Sequence, residues 1–171
     1  SRNSSWSASV RMTNFSLILA TVNRTIDLDR LFNSLAAQRF HSFEVIVVDQ
    51  NEDDRILPHL ERAQSLGIVV HHLRHRPANL AAARNAGIAA ATGEWIGFPD
   101  DDCWYESDLL EKLDARFRSA EAPSGIVVRW VEQQQNPTIT SYLSWERSSK
   151  FRDIPVSSIT LFFKRVLLNR I

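Results

Sequence analysis

Phe43-Glu44-Val45-Ile46-Val47-Val48-Asp49 decides the fold. The run is rich in β-branched residues, which suit a pleated strand, and its apolar character is almost continuous. A strand without polar alternation is buried on both faces, the habit of a parallel sheet covered by helices. It ends on a carboxylate, Asp49. Upstream, Asp27 to Gln38 sets Leu28, Leu31, Phe32 and Leu35 at helical spacing, with Asp27 as candidate N-cap. Before that helix, Phe15-Ser16-Leu17-Ile18-Leu19-Ala20-Thr21 is another buried strand. Downstream, Asp54 to Leu66 predicts a helix stopped at Gly67, and Gly67 to His72 a third strand. Ala78 to Thr92 is an Ala-rich helix closed by Gly93, and Trp95 to Pro99 is a fourth strand.

This β-α-β-α-β-α-β order implies an α/β protein: a mostly parallel sheet with helices on both faces. Ligands of such sheets bind beyond the carboxyl ends of the strands. Thr21 to Arg24, Asp49 to Asp53 and Asp100 to Asp102 all fall at such ends and are expected to share one crevice. Further on, Ser107 to Arg118 reads as a helix with Ser107 as N-cap, and Gly125 to Val131 as a fifth strand. Glu132 to Pro137 reads as a Gln-rich loop, and Ser141 to Arg152, carrying Tyr142, Trp145 and Phe151 among charges, is ambiguous. Ser158 to Phe163 reads as a strand and Lys164 to Ile171 as the start of a helix. Residues 1–13 form a polar tail and 14–171 one domain.

The totals narrow the class. The chain has 171 residues, 44% of them apolar, enough for a substantial core. Lys+Arg and Asp+Glu number 20 each, so no basic field calls for nucleic acid. A single cysteine, Cys103, excludes an internal disulfide framework and fits a reducing, cytoplasmic setting. The apolar runs are too short to span a bilayer, which leaves room only for peripheral membrane association.

Asp100-Asp101-Asp102 is the chemically loaded feature. Adjacent carboxylates at a strand end repel one another, and a divalent cation or a donor-rich partner relieves that cost. The triplet therefore points to a metal-assisted site for an anionic ligand.

Four segments together resemble family 2 inverting glycosyltransferases of the GT-A, nucleotide-diphospho-sugar transferase fold. They are Leu17 to Arg24, similar to that family's opening strand and "TYNR" turn; Ser34 to Gln38 followed by Phe43 to Asp49; Ala81-Ala82-Ala83-Arg84-Asn85-Ala86-Gly87, similar to its "ARN.G" helix; and Gly93 to Asp102, similar to the strand leading into its DxD motif. The resemblance covers roughly residues 15 to 115. It implies a nucleotide-diphospho-sugar donor, a glycan or lipid-linked acceptor, and Mg²⁺ or Mn²⁺ as cofactor. By that pattern Asp102 is the metal ligand and Asp100 a second one, directly or through water. Asp101 or Asp100 would take the ribose hydroxyls and Asp49 the base N–H. Arg84 would hold base or phosphate, and Ala20, Thr21, Val22, Arg24 and Asn51 would complete the nucleotide-sugar pocket.

Val22 stands where many relatives carry Tyr, which removes a stacking ring. Gln50-Asn51-Glu52-Asp53-Asp54 replaces the usual "DGS.D". The general base of an inverting transfer is expected past Ile171; Glu132, Glu146 and Asp153 are carboxylates with no assigned role. Three rival readings are a nucleotide-sugar-binding unit without turnover, a sugar nucleotidyltransferase and a receiver-type phospho-acceptor. The second lacks its Gly-rich loop after the first strand, and the third its Lys at a later strand end. His71, His72 and His75 are expected at a surface strand end rather than on zinc. Cys103 is expected to be a packing residue. Trp104 and Tyr105 are read as core or as sugar-facing rings, and Tyr142 and Trp145 as core or acceptor platform.

Overall fold

The computed structural model describes residues 13–135, 138–144 and 158–170. The first half alternates strands and helices: β1 (Phe15–Thr21), α1 (Leu28–Ala36), β2 (Phe43–Asp49), α2 (Leu57–Ser65), β3 (Val70–Arg74), α3 (Leu80–Ala90) and β4 (Trp95–Gly97). There follow β5 (Trp104–Tyr105), α4 (Leu109–Phe117), β6 (Gly125–Val127), β7 (Arg129–Gln135), β8 (Thr138–Ser144) and β9 (Leu161–Lys164). A 3₁₀ turn, Ser158–Thr160, precedes β9, and a second, Arg165–Arg170, follows it.

Six strands form one sheet in the order β3-β2-β1-β4-β9-β6, and β5-β8-β7 form a second. β3, β2, β1 and β4 run parallel, while β9 is antiparallel to both β4 and β6. Strand order builds outward from β1 through β2 to β3, then jumps back to put β4 on the other side of β1. The carboxyl ends of β1 and β4 therefore flank a topological switch point, where open α/β sheets form their crevice.

Strand periodicity sorts the two helical layers. Phe15, Leu17 and Leu19 of β1 and Phe43, Val45 and Val47 of β2 join the larger core with Leu28, Leu31, Phe32 and Leu35 of α1. The intervening Ile18, Ile46 and Val48 face Ala83 of α3 in a smaller core. Helices thus cover both faces, as the continuous apolar strands require. On the larger face α4 is docked by Trp95 stacked on Phe117, ring centroids 3.4 Å apart and planes 11° from parallel.

The helix ends depart from the sequence reading. Asp27 occupies the N-cap position of α1 without a side-chain cap bond, and Ser107 is displaced from the cap of α4 by Asp108, which also lacks one. By contrast, Asn79 caps α3 through its side chain, which accepts from Ala82 N at 2.9 Å. α2 starts at Leu57 rather than Asp54, since Asp54 pairs with Arg74 and Pro58 suits a first turn. Gly67, at φ +87°, ends that helix as expected. Ile68 then donates back to Ala63 O at 3.2 Å, so β3 begins only at Val70.

Larger corrections fall after α4. Gly125 to Val131 is not one strand: β6 pairs with β9 in the main sheet and β7 with β8 in the second, with the break at buried Val128. Val128 N donates to Thr160 O at 2.9 Å, which turns the chain from one sheet to the other. The expected Gln-rich loop is strand as far as Gln135, and Tyr142, in the segment whose sequence is ambiguous, lies on β8. Ser158 to Phe163 is part 3₁₀ turn and part strand, and the segment after Lys164 is 3₁₀ rather than α. Residues 1–12 of the expected tail, Trp145, Glu146 and Asp153 lie outside the described residues.

At the amino ends of the strands, a buried carboxylate holds the α3–β4 connection. Glu44 Oε1 accepts from Ser16 Oγ at 2.6 Å, Thr92 N at 2.8 Å and Thr92 Oγ1 at 2.9 Å; Glu44 Oε2 lies 3.1 Å from His71 Nε2. Burial alone would raise its pKa, but the bonds from Ser16 and Thr92, with His71 nearby, outweigh it and hold Glu44 below the ordinary glutamate range. A depressed carboxylate stabilises the fold above its unfolded pKa, and that contribution is lost as pH falls through the folded value. Glu44→Gln is expected to lower stability at pH 7 by about 1–3 kcal/mol. The gap from the parent should narrow as urea titrations move from neutral pH to below pH ~4.5, the ordinary glutamate value; a constant gap would contradict the assignment.

Candidate active site

β1 ends at Thr21 and β4 delivers Asp100 to Asp102. The last register pair joins Leu17 with Gly97; four residues further on, Thr21 at the end of β1 meets Asp101 in the turn beyond β4. Thr21 Oγ1, buried, donates to Asp101 Oδ2 at 2.9 Å. Asp101 is only 4% exposed. Arg24 Nη2 lies 3.1 Å from Asp101 Oδ1, and its Nη1 donates to Asp102 Oδ2 at 3.2 Å. The Asp101 contact lacks hydrogen-bond alignment, so Oδ1 is a buried acceptor with no hydrogen-bond donor.

The other two members of the triplet face outward. The side chain of Asp102 is 55% exposed and that of Asp100 38%, with Arg84 Nη2 3.4 Å from Asp100 Oδ1. The Arg84 guanidinium also sits over the Phe98 ring, 5.5 Å from its centroid. Burial raises the pKa of Asp100; Arg84 opposes it, while the charges of Asp102 and Asp101 reinforce it. Asp101 is likewise raised by burial, against the Thr21 bond and Arg24.

The turn after β1 is held by the neighbouring strand. Asn23 adopts φ +63°, a left-handed conformation that Asn tolerates. Its N–H donates to Asn51 Oδ1 at 2.6 Å. Asn51 is held by Asp49 Oδ1, which accepts from Asn51 N at 3.0 Å and Nδ2 at 2.7 Å. Asp49 Oδ2 lies 3.0 Å from His72 Nε2. Asp49 is wholly buried and its two oxygens are taken by these neighbours.

Sequence reading placed the triplet, Thr21, Arg24, Asp49, Asn51 and Arg84 around this crevice, with Ala20 half-buried and Val22 beside them. Thr21, Arg24, Asp101 and Asp102 are in direct contact, and Arg84 meets Asp100. Asp49 and Asn51 reach that group through Asn23. His72 was missed, because a histidine in a β-branched run carries no local signal. Its register opposite Val47 of β2, two residues before Asp49, is what brings it there. Gln50 and Arg76 were missed too: Gln50 Oε1 accepts from Asn79 N, and Arg76 Nη2 donates to Asn51 O, both at 2.7 Å.

His71 and His72 point to opposite faces of the sheet, toward Glu44 and Asp49, so they do not form a shared zinc set. Cys103 is buried, and burial pushes its thiol up to about 12, which makes it a packing group rather than a nucleophile. Tyr105 is buried in the larger core.

Among the described residues no three His, Cys, Asp or Glu side chains are arranged to hold a metal. The triplet still fits a divalent cation of the Mg²⁺ type, which takes one or two carboxylates and completes its shell with water and substrate phosphates. Asp102 and Asp100, whose side chains face outward, are carboxylates of that kind.

Residues 16–164 match the sequence model of glycosyl transferase family 2, and the chain belongs to that family. A glycosyltransferase of PGL/p-HBAD biosynthesis from Mycobacterium bovis is 33% identical over 117 residues, which are 66% of this chain and 44% of that protein. The crystal structure of Staphylococcus aureus TarS 1–349 in complex with UDP superposes with a TM-score of 0.73 at 22% identity, covering 92% of this chain and 48% of that one. The mannosyltransferase PcManGT of Pyrobaculum calidifontis, in complex with GDP-Man and Mn²⁺, gives a TM-score of 0.67 at 20% identity, covering 92% and 46%. These likenesses show the GT-A fold. The chain spans less than half the length of the curated relatives it matches.

Proposed function

We propose that this chain binds the nucleotide-diphospho-sugar donor of a metal-assisted glycosyltransferase that moves a sugar, with inversion, to a glycan or lipid-linked acceptor. The observation that carries this reading is the convergence of Thr21, Arg24, Asp101 and Asp102 at the β1–β4 switch point, with Asp100 and Arg84 beside them. A diphosphate leaving group carries developing negative charge, and Mg²⁺ or Mn²⁺ would neutralise it as a Lewis acid.

The chain's own residues divide the remaining work. Asp102, with Asp100, would hold the cation, and buried Asp101 anchors the triplet to β1 through Thr21. Arg24 and Arg84 would pair with phosphate oxygens. Asp49 and Asn51, both buried, would brace the turn that sets Ala20 and Val22 against the base, and Asp100 would accept from the ribose hydroxyls. The general base is not assigned to a described residue. A cytoplasmic setting, with peripheral association at a membrane carrying the acceptor, belongs to the same proposal; among the described residues no helix is long and apolar enough to cross a membrane.

Calorimetric titration with UDP, GDP and their sugars, with and without Mn²⁺, tests this reading. Binding that needs both cation and diphosphate is the expected result. Indifference to every diphosphate in the presence of Mn²⁺ would overturn it.

A further inference from the structure

Arg24 makes two ion pairs with the triplet, 3.1 Å to Asp101 and 3.2 Å to Asp102, yet its side chain is 66% exposed. Its backbone is anchored from several sides. Arg24 N donates to Val22 O at 2.8 Å, and Asn23 is held by Asn51. The guanidinium can therefore leave the carboxylates without disturbing the core. While it stays, it supplies positive charge where a divalent cation would sit, and it still leaves the buried Asp101 Oδ1 without a hydrogen-bond donor.

Resting on the donor-binding reading above, we propose that Arg24 is the resident counter-ion of the triplet and exchanges with the divalent cation when a nucleoside diphosphate binds. A guanidinium and a divalent cation repel each other and compete for Asp102. In the absence of nucleotide, Arg24 holds the triplet and cation affinity is weak. An incoming diphosphate offers Arg24 a better partner, since planar guanidinium pairs well with phosphate oxygens. Its departure frees Asp102, and the cation and nucleotide then bind as a unit. Arg24 thus sets the coupling between cation and donor, a positioning role rather than a chemical one.

The test separates Mn²⁺ alone from Mn²⁺ with nucleotide. Free Mn²⁺ is titrated into the parent and Arg24→Gln proteins and followed by its electron paramagnetic resonance signal. UDP and GDP are then titrated calorimetrically at saturating Mn²⁺. Arg24→Gln is expected to bind Mn²⁺ alone about tenfold more tightly, and the diphosphates more weakly. Arg24→Lys, which keeps the charge but cannot span both carboxylates, should fall between the two. Circular dichroism checks that each variant is folded; an unfolded Arg24→Gln would itself contradict a free, exposed side chain. Unchanged or weaker affinity for Mn²⁺ alone in Arg24→Gln overturns the exchange while leaving donor binding intact, provided the parent binds diphosphates in a Mn²⁺-dependent way. If the parent does not, the donor-binding reading falls and this inference falls with it.

Discussion

Asp102→Ala is expected to abolish the cation-dependent part of nucleotide binding, weakening calorimetric affinity for a diphosphate in Mn²⁺ by on the order of 100-fold or more. Asp102 is the most exposed of the three carboxylates, and its side-chain bond is to the exposed head of Arg24. Nothing in the core depends on it, so thermal stability should stay near the parent's. The loss would then reflect removal of an oxygen ligand rather than collapse of the loop. Asp101→Ala provides the contrast. It strips Thr21 Oγ1 of a buried acceptor and should cost about 1–3 kcal/mol of stability as well as binding. Unchanged affinity of Asp102→Ala with Mn²⁺ present would refute its assignment as the metal ligand.

Gly93→Ala is expected to destabilise the fold by about 3 kcal/mol or more, the upper end of what overpacking costs. A Cβ on Gly93 would lie 2.6 Å from Ser16 N and 2.7 Å from Phe15 C, both backbone atoms of β1 that have no side-chain freedom to retreat. It would also meet Ser16 Oγ at 2.7 Å, the group that accepts from Gly93 N and donates to Glu44. The added methyl therefore forces β4 away from β1 and breaks the polar network beneath it. Chemical denaturation at neutral pH checks the value, and a change under 1 kcal/mol would mean that the two strands can separate freely. Because β4 also delivers the triplet, diphosphate binding should weaken together with stability.

Much of this was legible along the chain. β1 and β2 run from Phe15 to Thr21 and from Phe43 to Asp49 as their apolar runs indicate, because a strand buried on both faces leaves an unbroken hydrophobic stretch. The α1 positions Leu28, Leu31, Phe32 and Leu35 are all buried as their spacing requires. Helix starts were less legible. Asp27 and Ser107 are residue types that favour caps, yet Asn79 alone among these makes a side-chain cap bond, since capping depends on how the preceding loop enters. The stretch from Gly125 to Val131 was misread for a different reason. Its β-propensity is continuous, and the break at Val128 follows from two distant partners, β9 and β8, that pull its halves into separate sheets.

The same division holds at the crevice. The order of periodic segments placed carboxylates at three strand ends, and a parallel α/β sheet brings such ends together whatever the contacts between them. That much the sequence determined alone, because periodicity and chain order are local, one-dimensional properties. Tertiary structure decided what each carboxylate does. Asp101 is buried against Thr21, 80 residues away in the chain, while Asp100 and Asp102 face outward. Asp49 is enclosed by Asn51 and His72, with His72 arriving on a neighbouring strand. Three adjacent aspartates are chemically identical in sequence. They differ only because burial, and the partners that burial brings, set the cost of each charge.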